Sequence, residues 1–321
     1  MDSQTIVTDL GAGRTRRFAP ITTLASGLPL GLTIHVIQGR SPGPTVGVSA
    51  MIHGDELEGL LIARELHRQL DPATLRGSVW ILGVANPLAM EGITRNTPID
   101  MLDMNRLFPG SPDGWLSEQQ AYVIAHEFID KIDVLIDIHA GGTFPWVDYC
   151  YVVNDEGLSR AFLPQLLYKP AASYPNTTAT YAEQRGVRCM VVEIGGGYNE
   201  QHVHVANGVK GVLNQLRYVG ALDGVVEKRA GQVLMREMKV MRPRAGGLCV
   251  PRQVLTPGQR LPKGTVLADI VSPYTFDVLE TMTAPFEQNI VVLCRNYMTR
   301  IHPGDYTFMM GNAATATTYA D

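Results

Sequence analysis

The sequence predicts an α/β fold, a sheet with helices on both faces, followed by a smaller all-β domain. Three observations predict it. At 321 residues the chain exceeds the size at which one core usually keeps growing, so two domains are expected. Over the first two-thirds, continuous apolar runs alternate with helix-like segments, the pattern of strands buried on both sides. After about residue 225 the texture changes to short apolar runs broken by Pro and Gly, with no long helical period left.

Residues 45–52, TVGVSAMI, read as a buried strand. Residues 55–70 follow with helical spacing of Leu57, Leu60, Leu61, Leu66 and Leu70. Residues 77–85 form another apolar run, 118–131 a helix and 132–138, IDVLIDI, a strand. A strand at 147–153, a helix at 158–168, a strand at 188–193 and a helix at 200–219 complete the first domain, residues 1–225. Residues 226–321 form the β-rich domain. The final tail, NAATATTYAD, is expected to fray.

Composition excludes several classes. A formal net charge of −4 gives no basic footprint for nucleic acid, and no polybasic run suggests a membrane surface. No apolar stretch approaches the roughly 20 residues of a membrane-spanning helix, and no secretory leader is visible. The four cysteines, Cys150, Cys189, Cys249 and Cys294, form no CxxC pair, which fits a reducing interior. The expected location is the cytoplasm.

Three polar residues stand at the ends of three apolar strands: His53 after VGVSAMI, His139 after DVLIDI and Glu193 after CMVV. In an open α/β sheet, ligands bind outside the carboxyl ends of the strands. If these strands run parallel, all three residues can point into one crevice. Glycines follow each: Gly54, Gly141–Gly142 and Gly195–Gly196–Gly197. Taken singly, a strand-end histidine is a hydrogen-bonding residue and a Glu before Gly a turn residue. Three such junctions together are hard to explain as packing.

The first junction, HGDELEG, sets His53 and Glu56 three apart, either on one helical face or at a loop–helix junction. Imidazole and carboxylate both ligate zinc, and a catalytic zinc needs three protein ligands with one position open. His139 supplies the third. Asp137, two residues earlier on the same strand, could orient a ligand. A metal-activated water also needs a base, and Glu193 suits that role. Asp55 and Glu58 read as solvated helix residues. Residues 86–110 form a long loop carrying Arg95, Asn105 and Arg106. Arginine can grip a carboxylate or stabilise an oxyanion, although a single loop arginine is ordinarily a solvated surface charge.

The ordered set HGDELEG, TRNTPIDMLDMNRLFPG, DIHAGG and VEIGGG resembles the succinylglutamate desuccinylase/aspartoacylase family of the zinc carboxypeptidase superfamily. Its texture is closer to the bacterial branch that includes N-acetyl-diaminobutyrate deacetylase. The resemblance implies a zinc-carboxypeptidase-like mixed sheet and one zinc ion per chain, held by His53, Glu56 and His139. It implies Glu193 as general base, Arg95 beside the oxyanion, and Asn105 with Arg106 on the substrate carboxylate. Arg185 and Arg188 are candidates for binding a substrate side chain, with a surface role as the alternative. His202 and His204, near Glu193 in sequence, read as surface or capping residues or as substrate contacts. Residues 226–321 resemble a lipoyl-like β-sandwich without a lipoyl-lysine motif, placed to narrow access to the crevice.

The expected function is therefore a zinc-dependent deacylase cleaving the amide bond of a small N-acylated amino acid. Two rivals stand beside it: a metallocarboxypeptidase acting on peptides, and a non-catalytic binding protein on the same scaffold. A homo-oligomer is common for the family.

Overall fold

The computed structural model describes residues 4–197 and 201–320. Its first elements are β1 (Ile6–Gly11), β2 (Arg14–Thr23), β3 (Pro29–Gln38) and β4 (Ser41–Ala50). Then come α1 (Leu57–Gln69), β5 (Arg76–Leu82), α2 (Pro87–Gly92), α3 (Leu116–Glu127), β6 (Val134–His139) and β7 (Trp146–Val152). Next are α4 (Glu156–Ala161), β8 (Leu166–Tyr168), α5 (Thr178–Gln184), β9 (Arg188–Gly195) and α6 (Gln201–Tyr218). Short strands follow: β10 (Val233–Met235), β11 (Met238–Met241), β12 (Gly247–Pro251), β13 (Arg260–Pro262) and β14 (Val266–Val271). The chain ends with β15 (Val278–Thr283), β16 (Gln288–Cys294), β17 (Thr299–Ile301), β18 (Phe308–Asn312) and β19 (Thr317–Thr318).

Most strands join one mixed sheet, whose main path runs β1-β2-β3-β5-β4-β6-β9-β7-β16-β18-β11. The strands that matter for the site, β4, β6 and β9, are parallel neighbours. Their carboxyl ends therefore lie on one edge, as the strand-end argument required. Alternation along each strand feeds two cores. Val134, Ile136 and Ile138 pack with Ile62 and Leu66 of α1 and Val212 and Leu216 of α6. Leu135 packs on the other face with Ile124 of α3 and Tyr181 of α5. Helices thus cover both faces, and β6 is buried along its whole length.

Several expectations need correction. The buried face of α1 is Glu58, Gly59, Ile62, Ala63 and Leu66, whereas Leu57 is exposed. The helix expected at 158–168 stops at residue 161, and β8 follows. Pro164 cannot continue a helix, and Leu163 already adopts a left-handed conformation. The 86–110 loop contains α2 and a 3-10 turn at Met104–Arg106. The helix expected from residue 200 is α6, and residue 200 itself lies outside the described residues. The tail is tied down: β19 pairs with β10, and the Tyr319 amide donates to the Gln232 carbonyl at 2.9 Å.

After residue 225 the described residues form short strands and one 3-10 turn, Ala313–Thr315, in keeping with the β-rich texture of the sequence. A four-stranded antiparallel sheet, β15-β14-β12-β17, forms one layer. The other strands extend the main sheet, because β16 pairs antiparallel with β7 through Leu293–Val147 and Cys294–Trp146. The C-terminal region is thereby fixed to the edge of the sheet that carries β9. No helix among the described residues is long and apolar enough to cross a membrane.

Phe128 has no exposed surface and joins α3 to the sheet, its ring lying against Gly47 of β4. Phe128→Ala should cost about 3–5 kcal/mol of unfolding free energy, read from denaturant melts.

Candidate active site

β4 ends at Ala50, and residues 51–56 turn sharply into α1. Gly54 is required in this turn: a Cβ there would lie 1.9 Å from the Ala89 carbonyl of α2. The close neighbour at this glycine is another stretch of backbone. His53 and Glu56 both precede α1, so they meet at the loop–helix junction and not along a helical face. His139 is the last residue of β6, and its ladder partner on β9 is Glu193.

These positions bring His53, Glu56 and His139 together. One ligand atom from each lies within 4.8 Å of the others, and all three residues are buried. His53 Nδ1 is 2.7 Å from Glu56 Oε1, and His139 Nδ1 is 3.0 Å from Glu56 Oε2. The far nitrogens face carboxylates as well. His53 Nε2 lies 3.3 Å from Asp103 Oδ1, and His139 Nε2 lies 3.2 Å from Asp137 Oδ2. An ionised carboxylate only accepts, so each Nε2 carries a hydrogen and donates it. With neutral rings each Nδ1 then turns its lone pair to Glu56, and His53 Nδ1 also lies 3.3 Å from Arg95 Nη1. Lone pairs and carboxylate oxygens approach this closely only with a proton or a cation between them. Glu56 Oε2 is buried and makes no hydrogen bond of acceptable geometry. The donor set, the orphaned oxygen and the carboxylate behind each imidazole all fit a divalent metal such as zinc.

The electrostatics agree. Burial alone would raise the Glu56 pKa, but His53 and His139 hold it well below the usual carboxylate range. Burial would lower the His139 pKa, yet Asp137 and Glu56 raise it well above the usual imidazole value. A cation in this cluster would take the place of that proton. Burial pushes the Glu193 carboxyl up to about 7; His139 pulls it down and Glu56 pushes it up. A carboxylate so raised is a stronger base than one in water.

Arg95 reaches the same cluster. Its Nη2 donates to Asp103 Oδ2 at 3.0 Å, and its Nη1 is 3.9 Å from Glu56 Oε1. Asn105 is buried, and its Oδ1 accepts from the Thr178 amide at 2.9 Å. Arg106 donates to the Asn105 carbonyl at 2.7 Å, and its guanidinium lies 5.7 Å from the Tyr174 ring centre. All these residues line one cavity of about 670 Å³ with His53, Glu56, His139 and Glu193. The chain after residue 225 supplies part of the wall, through Met238, Val240, Leu293, Arg295 and Met309.

Other sequence expectations do not come together here. Arg185 pairs with Asp130 and Arg188 with Asp155, both away from the cavity. His202 is exposed; His204 is buried, its ring 6.0 Å from that of Trp146, and neither lines the cavity. Glu58 is not solvated. It is buried and accepts from the Gly196 amide at 3.1 Å, holding the turn of positive-φ glycines after Glu193. Asp55 is half-buried and accepts from the Thr143 amide at 3.2 Å.

Asp103, Ser49 and Thr178 also belong to this network, though no motif in the sequence marks them. Asp137 accepts from Ser49 Oγ at 2.6 Å and from the Thr178 hydroxyl, which fixes its carboxylate against His139. Asp103 stands two residues before Asn105, and that spacing was its only visible signal.

Comparison with known proteins follows the same lines. The succinylglutamate desuccinylase/aspartoacylase catalytic domain matches residues 42–219. The N-alpha-acetyl-L-2,4-diaminobutyric acid deacetylase of Halomonas elongata is 28% identical over 199 residues, 59% of this chain. That match spans 58% of the Halomonas protein's length. A succinylglutamate desuccinylase structure from Silicibacter sp. superposes with a TM-score of 0.83 at 22% identity, covering 97% of this chain and 99% of that one. The product-bound ectoine utilization protein EutE (DoeB) of Ruegeria pomeroyi gives 0.83 at 22%, covering 98% and 100%. The likeness to these two structures is one of fold.

Asp137→Asn keeps the shape but removes the charge behind His139. It should weaken divalent-metal affinity about 10–100-fold, measured by competition with a chromophoric chelator.

Proposed function

The chain belongs to the succinylglutamate desuccinylase/aspartoacylase family, and from that membership we propose that it is a zinc-dependent amidohydrolase acting on a small N-acylated amino acid. One observation carries the proposal: two imidazoles present Nδ1 to a shared glutamate, with a base of raised pKa on the adjacent strand. The related Halomonas protein is a deacetylase, which supports amide chemistry.

His53, Glu56 and His139 would hold one zinc ion. Bound there, zinc supplies Lewis acidity, lowering the pKa of water towards about 7 and polarising a carbonyl. The rest of the reaction falls to the chain's own residues. Glu193 takes a proton from the attacking water and later returns it to the leaving amine. Arg95, held by Asp103, donates to the oxygen on which negative charge develops. Asn105 and Arg106 hold the substrate carboxylate and set the scissile bond against Glu193. Asn105 is itself held by Thr178, and Arg106 by the Asn105 carbonyl, so the pair is positioned before substrate arrives.

We assign the hydrolytic residues to 1–225 and the access-narrowing wall to 226–321. A cavity walled on that side accommodates a small substrate better than an extended peptide, which counts against the carboxypeptidase alternative. Retention of all three ligands and the base counts against a non-catalytic binding protein. The four cysteines are buried and free of disulfides, which supports a reducing, cytoplasmic setting. A homo-oligomer is the assembly proposed from family membership.

Glu193→Ala should lower kcat by about 10²–10⁴-fold on N-acyl amino acids. Zinc content, read by elemental analysis, should stay that of the wild type. Arg95→Ala should cost about 10²–10³ in kcat, with a smaller change in KM. A mainly KM effect would move Arg95 from the oxyanion to ground-state binding.

A further inference from the structure

The proposed reaction leaves one neighbour of Glu193 without a role. Glu193 of β9 is the ladder partner of His139 on β6 and of Tyr149 on β7, so the three residues form a row across the sheet. Directly paired residues point to the same face, and neighbouring strands lie about 4.8 Å apart. Glu193 is therefore flanked by the His53–Glu56–His139 cluster on one side and by a phenol on the other. Tyr149 is only 6% exposed, and it lines the cavity. Its hydroxyl has no hydrogen-bond partner among the described residues. Burial, and next the charge of Glu193, hold its pKa well above the usual tyrosine value, and Tyr174, Tyr151 and Tyr306 act in the same direction. The hydroxyl is thus neutral beside an ionised Glu193, able both to donate and to accept.

A buried hydroxyl without a partner is costly, and a ligand group that bonds to it recovers that cost. In the proposed reaction the scissile carbonyl oxygen faces Arg95 and the His53–Glu56–His139 cluster, on the β6 side of Glu193. A secondary amide is planar and trans, so its N–H points away from its C=O. With the oxygen on the β6 side, the N–H is directed to the β7 side. Arg95 and Arg106 can only donate, and Asp103 already accepts from Arg95 and His53. The Tyr149 hydroxyl is the neutral acceptor next to the base. We propose that Tyr149 contacts the substrate, its hydroxyl oxygen accepting the hydrogen bond of the scissile amide N–H. This rests on the deacylase proposal and extends it: the contact holds the amide nitrogen beside Glu193, the group that returns a proton to it. An ester has no N–H and gains nothing from Tyr149.

The test uses N-acetylglycine, the core common to all N-acetyl amino acids, and two analogues. Levulinate replaces its N–H by a methylene and keeps the carbonyl and the carboxylate; acetoxyacetate replaces it by an ester oxygen. Binding is read by NMR titration of the zinc-loaded full chain carrying Glu193→Ala, so turnover is not needed. N-acetylglycine should bind about 3–10-fold more tightly than levulinate, and adding Tyr149→Phe should bring that ratio close to one. With Glu193 intact, Tyr149→Phe should lower kcat on N-acetylglycine about 3–10-fold and leave acetoxyacetate within about twofold of wild type, at unchanged zinc content. Equal affinities before Tyr149 is changed, no binding of either compound, a ratio unmoved by Tyr149→Phe, or an equal loss on amide and ester overturns the proposal. A Tyr149-dependent binding ratio without hydrolysis of any N-acyl amino acid keeps the contact and removes the deacylase assignment.

Discussion

Two carboxylates set the direction of two imidazoles, and the geometry of the site depends on this. Asp103 and Asp137 accept from the Nε2 atoms of His53 and His139, so both Nδ1 atoms turn inward to Glu56. Without those acceptors either ring could flip or change tautomer, and three convergent donors would become a set of unrelated hydrogen bonds. Asp137 is held in turn by Ser49 of β4 and Thr178 of α5. Thr178 also fixes Asn105 through its amide, so one residue links the His53–Glu56–His139 cluster to the 86–110 loop.

The sheet explains why such a network can form from residues far apart in sequence. Parallel pairing of β4, β6 and β9 brings the turn after Ala50, His139 and Glu193 to one edge. Glu58 then reaches from α1 to the glycine turn after β9, tying the helix that follows His53 and Glu56 to the strand that carries Glu193. The antiparallel strands on the β7 side extend the same sheet into the C-terminal region. That region supplies part of the cavity wall while remaining part of the sheet that carries Glu193.

Much of this was legible in the sequence because strand-end positions are local. VGVSAMIHG, DVLIDIHAGG and CMVVEIGGG each announce a buried strand, a polar residue and a turn. What was not legible depended on contacts across the fold. Glu58 looked solvated because a helix pattern cannot show that a distant amide needs an acceptor. Asp103 lay in a loop whose path no periodicity reveals. The segment at 178–184, TATYAEQ, spans only seven residues, too few to show a helical period. It becomes α5 through reciprocal Thr177–Thr180 capping and burial against β9. Arg295 directly follows β16, and only the pairing of β16 with β7 brings it to the cavity.

Zinc stoichiometry after dialysis tests the proposed roles of His53, Glu56 and His139 most directly. Wild type should retain about one zinc per chain, and His139→Ala should lose it while keeping a cooperative thermal transition. Undiminished zinc in His139→Ala, or no zinc in wild type even after loading, would contradict the assignment of His53, Glu56 and His139 as ligands.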